Sequence, residues 1–208
     1  MRKVLLRWKV GRGKDAARSE VEGFTLIEIL IVISIIALLS SFVLVAVSRG
    51  RESAHEAMAK MTVGSLNQGL ENYLQDETIL PGSELTRVDC YRNDFHLLYN
   101  ALLAEARPKG PGGRNAPYAE IKEDQVNVRD EDTDSYRKAT AAERRNVKIK
   151  KYILDPWGHP YVYRANKGKR AQNCMHKLNS ADIYSIGKNG IDDTAEGKEE
   201  SDDIGNWN

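Results

Sequence analysis

An uninterrupted apolar run from Phe24 to Val47, FTLIEILIVISIIALLSSFVLVAV, constrains this chain more than any other feature. Its 24 residues carry a single charge, Glu28. Wound as an α-helix at about 1.5 Å per residue, the run spans roughly 36 Å, enough to cross the hydrocarbon core of a bilayer. A helix on a soluble core keeps a polar face, whereas here the apolar residues go all round. The β-branched residues that weaken a helix in water matter little in lipid, where the backbone must satisfy its own hydrogen bonds. Outside the run the chain is polar, and a mean hydropathy of −0.54 excludes a multi-span membrane protein. The 208 residues suffice for one ordinary domain with attachments.

Charge sets the direction of the span. Met1 to Gly23 form a polar leader with seven Lys/Arg against three carboxylates, a net of +4, while the chain as a whole is +1. By the positive-inside rule the leader stays in the cytoplasm and the C-terminal part is exported. A cleaved secretory signal is the rival reading, but its apolar core is usually shorter and followed by a small-x-small site. The near balance of 31 basic and 30 acidic residues lacks the excess expected of a nucleic-acid binder.

Glu28 needs a partner, because a carboxylate inside an apolar span costs about 2.5–3.5 kcal/mol on insertion scales. The span holds no Lys, Arg or His. Cleavage between Gly23 and Phe24 would create an α-amino group one helical turn away, at i and i+4. That cation would belong to the same chain or to a neighbouring copy.

Gly23-Phe24-Thr25-Leu26-Ile27-Glu28, followed by the apolar run, resembles the processing motif of the prepilin superfamily, the type IV pilins and type II secretion pseudopilins. The resemblance implies cleavage after Gly23 by a prepilin peptidase, N-methylation of Phe24 and a role for Glu28 in recruiting subunits into a helical filament. Here the leader is long and Glu22 precedes the glycine.

The helix is expected to run on to about Gln75, with Ala54, Met58, Met61, Leu66, Leu70, Tyr73 and Leu74 near helical spacing and Pro81-Gly82 ending the segment. The expected organisation is a leader over 1–23, a transmembrane or filament-core helix over 24–47, its amphipathic continuation over 48–80 and an exported head over 81–208. Phe95, Leu98, Tyr99, Leu102 and Leu103 predict a short amphipathic helix closed by Pro108 and the Gly110-Pro111-Gly112-Gly113 turn. A variable insert occupies about 110–150, and its charged residues, Glu131 to Arg145 among them, read as a solvated loop or surface helix.

Asp155-Pro156-Trp157-Gly158-His159-Pro160-Tyr161-Val162-Tyr163 reads as a turn feeding a strand, and Asp182 to Gly187 as a second strand. The first segment resembles the D-P-W-G-x-x-Y-x-Y stretch of the major pseudopilin family, protein G of the type II secretion pathway. Ser185-Ile186-Gly187-Lys188-Asn189-Gly190 and Asp202-Asp203-Ile204-Gly205-Asn206-Trp207 are similar to that family's S-x-G-x-D-G … D-D-I-x-N-W ending. The resemblance implies an α+β pilin-like fold, a long N-terminal helix packed on a small C-terminal antiparallel sheet. It also implies one bound calcium ion, held by Asn189, Asp202 and Asp203 with carbonyls around Ile186 and Ile191. A hard cation taking 6–8 oxygens suits such a loop. Asn189 stands where the family has Asp, removing one charge, for which Asp192 and Asp193 are available. An acidic tail without metal is the plain alternative.

Cys90 and Cys174 both fall on the exported side, where disulfides persist. One bridge would pin the insert to the region between the two strands; two free thiols is the alternative. His55, His96, His159 and His176 share no metal-ligand spacing, and no nucleophile or acid–base constellation suggests an enzyme. The resemblance implies a single-pass inner-membrane subunit of a type II secretion pseudopilus. Its partners would be copies of itself, minor pseudopilins, the inner-membrane platform and the peptidase. A type IV pilin for adhesion, motility or DNA uptake, and a signal-anchored binding domain that never polymerises, are the other readings.

Overall fold

The computed structural model describes residues 24–84, 89–102, 117–130, 132–167, 172–198 and 200–207. The leader with Gly23, Leu103, Pro108 and the 110–113 turn lie outside the described residues.

The first element, α1, is a 51-residue helix, Leu26–Asp76. A reciprocal cap starts it: Thr25 N–H and Oγ1–H each donate to Glu28 Oε2 at 2.8 Å, and Glu28 N–H returns to Thr25 Oγ1 at 3.3 Å. The chain divides into two compact units, 1–47 and 48–208. In the first, every described residue from Phe24 to Val47 is exposed, and the apolar window reaches a mean hydropathy of 3.0. Among the described residues nothing covers this surface, as expected of a helix whose solvent is lipid.

In the second unit, α1 buries Ala59, Val63, Leu66, Gly69 and Leu70, spaced along one face. This face lies one residue away from the expected stripe at its upper end. Met58 and Met61 are exposed, at 57% and 75%, and Ala59 and Val63 pack in their place. Small residues let the head approach the helix closely. At Gly69 an added Cβ would stand 2.9 Å from the Ala119 Cβ and 3.2 Å from the Tyr118 carbonyl oxygen. The glycine that weakens the helix in isolation is therefore a packing contact.

The second helix, α2, is Phe95–Leu102, with Phe95, Leu98, Tyr99 and Leu102 buried. Two three-stranded antiparallel sheets follow. One has the order β2-β1-β3, with β1 Val126–Asp130, β2 Ser135–Lys138 and β3 Tyr152–Ile153. The other has the order β4-β5-β6, with β4 Val162–Ala165, β5 Ala181–Ser185 and β6 Ile204–Gly205. The pilin-like α+β architecture expected from the sequence is present, with the sheet divided in two.

The β1–β2 hairpin replaces the loop or surface helix expected for the charged stretch. Its register pairs Val128 with Arg137 and Asp130 with Ser135. Val126 and Val128 are buried at 2% and 3% exposure, whereas Arg129, Arg137 and Lys138 stay exposed. Two valines spaced two apart anchor the strand, a signal easily lost among so many charges. A short helix, α3 Ala141–Arg145, follows, capped by Thr140 and Glu143.

Lys151 is the polar residue buried most unusually, at 1% exposure. Its Nζ donates to the carbonyl oxygens of Asn146 (2.6 Å) and Ile149 (3.1 Å) and to Asn100 Oδ1 (3.3 Å), and lies 5.4 Å from the Tyr99 ring centroid. It ties the connection before β3 to α2, and burial pushes its pKa down.

Cys90 and Cys174 form a disulfide, 84 residues apart in sequence, with Cα atoms 5.8 Å apart. The bridge closes the segment before α2 onto the connection between β4 and β5.

Candidate metal loop and helix terminus

The acidic loop is built on the turn that joins the sheets. In Asp155–His159, the Asp155 carboxylate organises the turn. Its Oδ1 accepts from the backbone N–H of Trp157 (3.1 Å) and His159 (2.8 Å), and its Oδ2 accepts from Ser185 Oγ at 2.5 Å. Gly158 adopts φ +96°, which a side chain would resist. The turn thereby presents His159 to the end of β5, where Nδ1 lies 3.0 Å from the Gly187 carbonyl oxygen.

Beyond β5 the chain turns at Gly187 (φ +66°) and Gly190 (φ +69°). Both glycines are required by close approach as well as by φ. A Cβ on Gly187 would lie 2.6 Å from the Asp202 carboxyl, and one on Gly190 would lie 2.7 Å from His159 Nε2. Asp202 Oδ2 closes the loop by accepting from the N–H groups of Lys188 (2.8 Å) and Asn189 (3.0 Å).

A short helix, α4 Asp193–Glu196, lies inside the loop, capped by Asp192. It places Asp193 beside Asp202 and Asp203, with one carboxylate oxygen from each within 4.8 Å of the others. This cluster can hold a metal ion. The donor set also fits one by a separate test: Asp203 Oδ1 is buried and has no hydrogen-bond partner among the described residues, while its Oδ2 accepts from Thr194 N–H at 2.7 Å. A buried carboxylate oxygen without a donor is costly unless a cation faces it. Burial raises the Asp203 pKa, and the Lys198 ammonium, with help from the Asn189 amide, lowers that of Asp193.

The residues expected as ligands occupy different positions. Asp202 and Asp203 are in the cluster. Asn189 adjoins it, donating from its amide to Asp193 Oδ2 at 3.1 Å and accepting from Ile191 N–H at 2.6 Å. The Ile191 carbonyl accepts from Asp193 N–H at 2.9 Å. Ile186 lies half-buried just past β5. Asp193 joins the cluster, whereas Asp192 is engaged elsewhere. Its carboxylate accepts from Tyr184 Oη at 2.8 Å and from Ala195 N–H at 2.8 Å. Two adjacent aspartates look equivalent in sequence; the helix turn separates their directions.

At the start of α1, Phe24 is 84% exposed and the Glu28 carboxylate is held by Thr25. The local cap shows that Glu28 has a partner even without a new N-terminus.

Comparison with known proteins agrees with both ends of the chain. Residues 18–44 match the prokaryotic N-terminal methylation motif. Residues 134–207 match the family described as type II secretion system (T2SS), protein G. The type II secretion system core protein G of Pseudomonas aeruginosa is 27% identical over 191 residues, covering 91% of this chain and 97% of that protein. The proteins of the same description from Vibrio cholerae and Aeromonas hydrophila are 25% and 26% identical, each over 89% of this chain and over 91% and 92% of their own lengths.

A long apolar helix entered through a methylation motif and leading into an α+β head defines a prepilin-like protein. Within that class the chain is similar over nearly its whole length to type II secretion system core protein G, whose family model matches its C-terminal residues. It is accordingly a single-pass inner-membrane protein with a structural, non-enzymatic role.

Proposed function

We propose that this chain is the repeating subunit of a type II secretion pseudopilus, a helical filament that helps drive folded proteins outward. The observation that carries the proposal is the exposed apolar helix, whose cap places Glu28 one turn from Phe24. In this reading 1–23 is the cytoplasmic leader, removed by the prepilin peptidase between Gly23 and Phe24, and Phe24 is then N-methylated. Residues 24–47 span the membrane before becoming filament core, 48–80 continue the stem, and 81–208 form the exported head with its insert at about 110–150. Subunit addition moves apolar surface from lipid into a protein core, so hydration changes little and a polar contact can decide register. The new α-amino group of one copy would pair with Glu28 of the same or the preceding copy. Minor pseudopilins and the inner-membrane platform would be the other partners.

Calcium is the cation proposed for the loop, held by Asp193, Asp202 and Asp203 with Asn189 and the carbonyls of Ile186 and Ile191 available. Oxygen donors on a flexible loop suit its coordination. A bound ion would supply the charge that the buried Asp203 oxygen lacks, and would stiffen the loop between β5 and β6.

The test is Glu28→Ala in the full chain, in cells that carry the secretion machinery. Membrane insertion should persist and incorporation into filaments should be lost. Normal assembly by the variant would refute the Glu28 role. A membrane-bound wild-type protein that retains Met1 and never polymerises would instead favour a signal-anchored binding domain.

A further inference from the structure

We infer that the basic groove between the β1–β2 hairpin and the 146–150 loop docks the acidic C-terminal loop of a second copy of this chain; the inference rests on the filament reading above. The groove encloses about 580 Å³ and is lined by Arg129, Asp134, Lys148, Ile149, Lys150 and Tyr152. Arg129 is already matched by Asp134, with Nε donating to Oδ1 at 2.7 Å. Lys148 and Lys150 are exposed, and neither meets a carboxylate among the described residues. Ile149 and Tyr152 supply apolar walls for the stems of acidic side chains.

The charge pattern points to the occupant. The groove lining carries three cations, Arg129, Lys148 and Lys150, against the single carboxylate of Asp134, while residues 189–203 carry seven carboxylates and one lysine, a net of −6. A divalent ion in the loop would leave −4, still opposite in sign. The two regions flank different sheets, and no ion pair joins them within one chain among the described residues. Glu200 is exposed and available to a neighbour; the Glu196 side chain is 40% exposed and pairs with Lys198 at 2.6 Å, a contact it would share or exchange on docking, and neither belongs to the metal cluster. Contact between unlike patches is heterologous, and repetition of such a contact builds an open helix rather than a closed dimer. Charge complementarity of this kind selects the partner and sets the register more than it adds affinity.

The experiment is a charge swap in the full chain, scored by sedimentable filaments in cells with the secretion machinery. Lys148→Glu with Lys150→Glu should reduce filament yield at least about tenfold, and adding Glu196→Lys with Glu200→Lys should restore it. Thermal unfolding of each purified variant in detergent checks that the head stays folded. If the reversal lowers the midpoint appreciably, Lys148→Gln with Lys150→Gln replaces it, and filament yield should fall while the midpoint holds. Wild-type yield from the reversed or neutralised variant, or failure of the fourfold swap to restore assembly, would overturn the groove assignment alone. Absence of filaments from the wild-type protein would overturn the filament reading beneath it.

Discussion

The Lys188 ammonium lies 3.1 Å from the Glu52 carboxylate, joining the first turn of the acidic loop to the exported part of α1. The Lys188 side chain is 65% exposed, so this pair contributes little, in the range of about 0–1 kcal/mol. Loop shape depends far more on Gly187, whose φ of +66° and contact with Asp202 leave no room for a side chain. Denaturant unfolding of the full chain in detergent should therefore separate the two. Lys188→Ala should fall within about 1 kcal/mol of wild type, and Gly187→Ala should lose roughly 1–3 kcal/mol. Equal effects would mean that the ion pair, not the backbone, holds the loop.

Calcium should raise the unfolding midpoint of the full chain, and chelator should lower it. A ligand bound only by the folded state stabilises it by about 2.7 kcal/mol at 100 times its dissociation constant. Asp203→Asn should abolish most of the shift, because it removes charge where the structure leaves an oxygen buried and unpartnered. Magnesium, which demands near-ideal octahedral geometry, should shift the midpoint less. No difference between calcium and chelator would assign the cluster a purely internal role.

Reduction of the Cys90–Cys174 bridge should destabilise the head. Cross-linking residues 84 apart limits the unfolded chain, and the chain-entropy model gives about 4–5 kcal/mol for a loop of this size. Unfolding of the full chain with and without reductant, compared with Cys90→Ser/Cys174→Ser, measures it. An unchanged midpoint would show that the core around β4 and β5 holds without the bridge.

Acid should weaken the end of the insert. Arg137 pairs with Glu143 at 2.7 Å, and this contact, with the Thr140 cap, lowers the Glu143 carboxyl from the usual 4.5 to about 2. A depressed folded-state pKa gives stability that is present above the unfolded value and lost as pH falls. The protection of α3 amides, with the intrinsic pH dependence of exchange divided out, should therefore fall between pH 4.5 and about 2. Glu143→Gln should remove that dependence, and a profile identical to wild type would dismiss the assignment.

Lys151→Met tests the buried ammonium. The variant keeps the aliphatic stem and deletes the donor shared by Asn100, Asn146 and Ile149. Leaving such acceptors unmet should cost about 1–3 kcal/mol. A stabilised variant would mean that the desolvation of Lys151, which lowers its pKa, outweighs its hydrogen bonds.

Much of this was legible along the chain because the signals are local. The apolar run, the processing motif, α2 and the strands around Tyr163 and Ile183 each declare themselves within a few residues. The hairpin at 126–138 did not. Its apolar face is two valines, Val126 and Val128, set among charges that also suit a solvated loop. The helix stripe was displaced for a related reason: Met58 and Met61 are as apolar as the residues that replaced them, and only close approach by the head selects Ala59 and Val63.

The metal cluster divides along the same line. The number of acidic residues and the glycines at 187 and 190 follow from the sequence, and so does the direction of the chain through the membrane, since charge and hydropathy act on each segment by itself. Which aspartates converge was decided by tertiary structure. Asp193 and Asp192 are adjacent and chemically identical, yet α4 turns one toward Asp203 and leaves the other to Tyr184 and the helix cap. The pairing of Cys90 with Cys174 and the burial of Lys151 belong to the same category. Each depends on contacts between segments distant in sequence, whose energies exist only once the chain has brought them together.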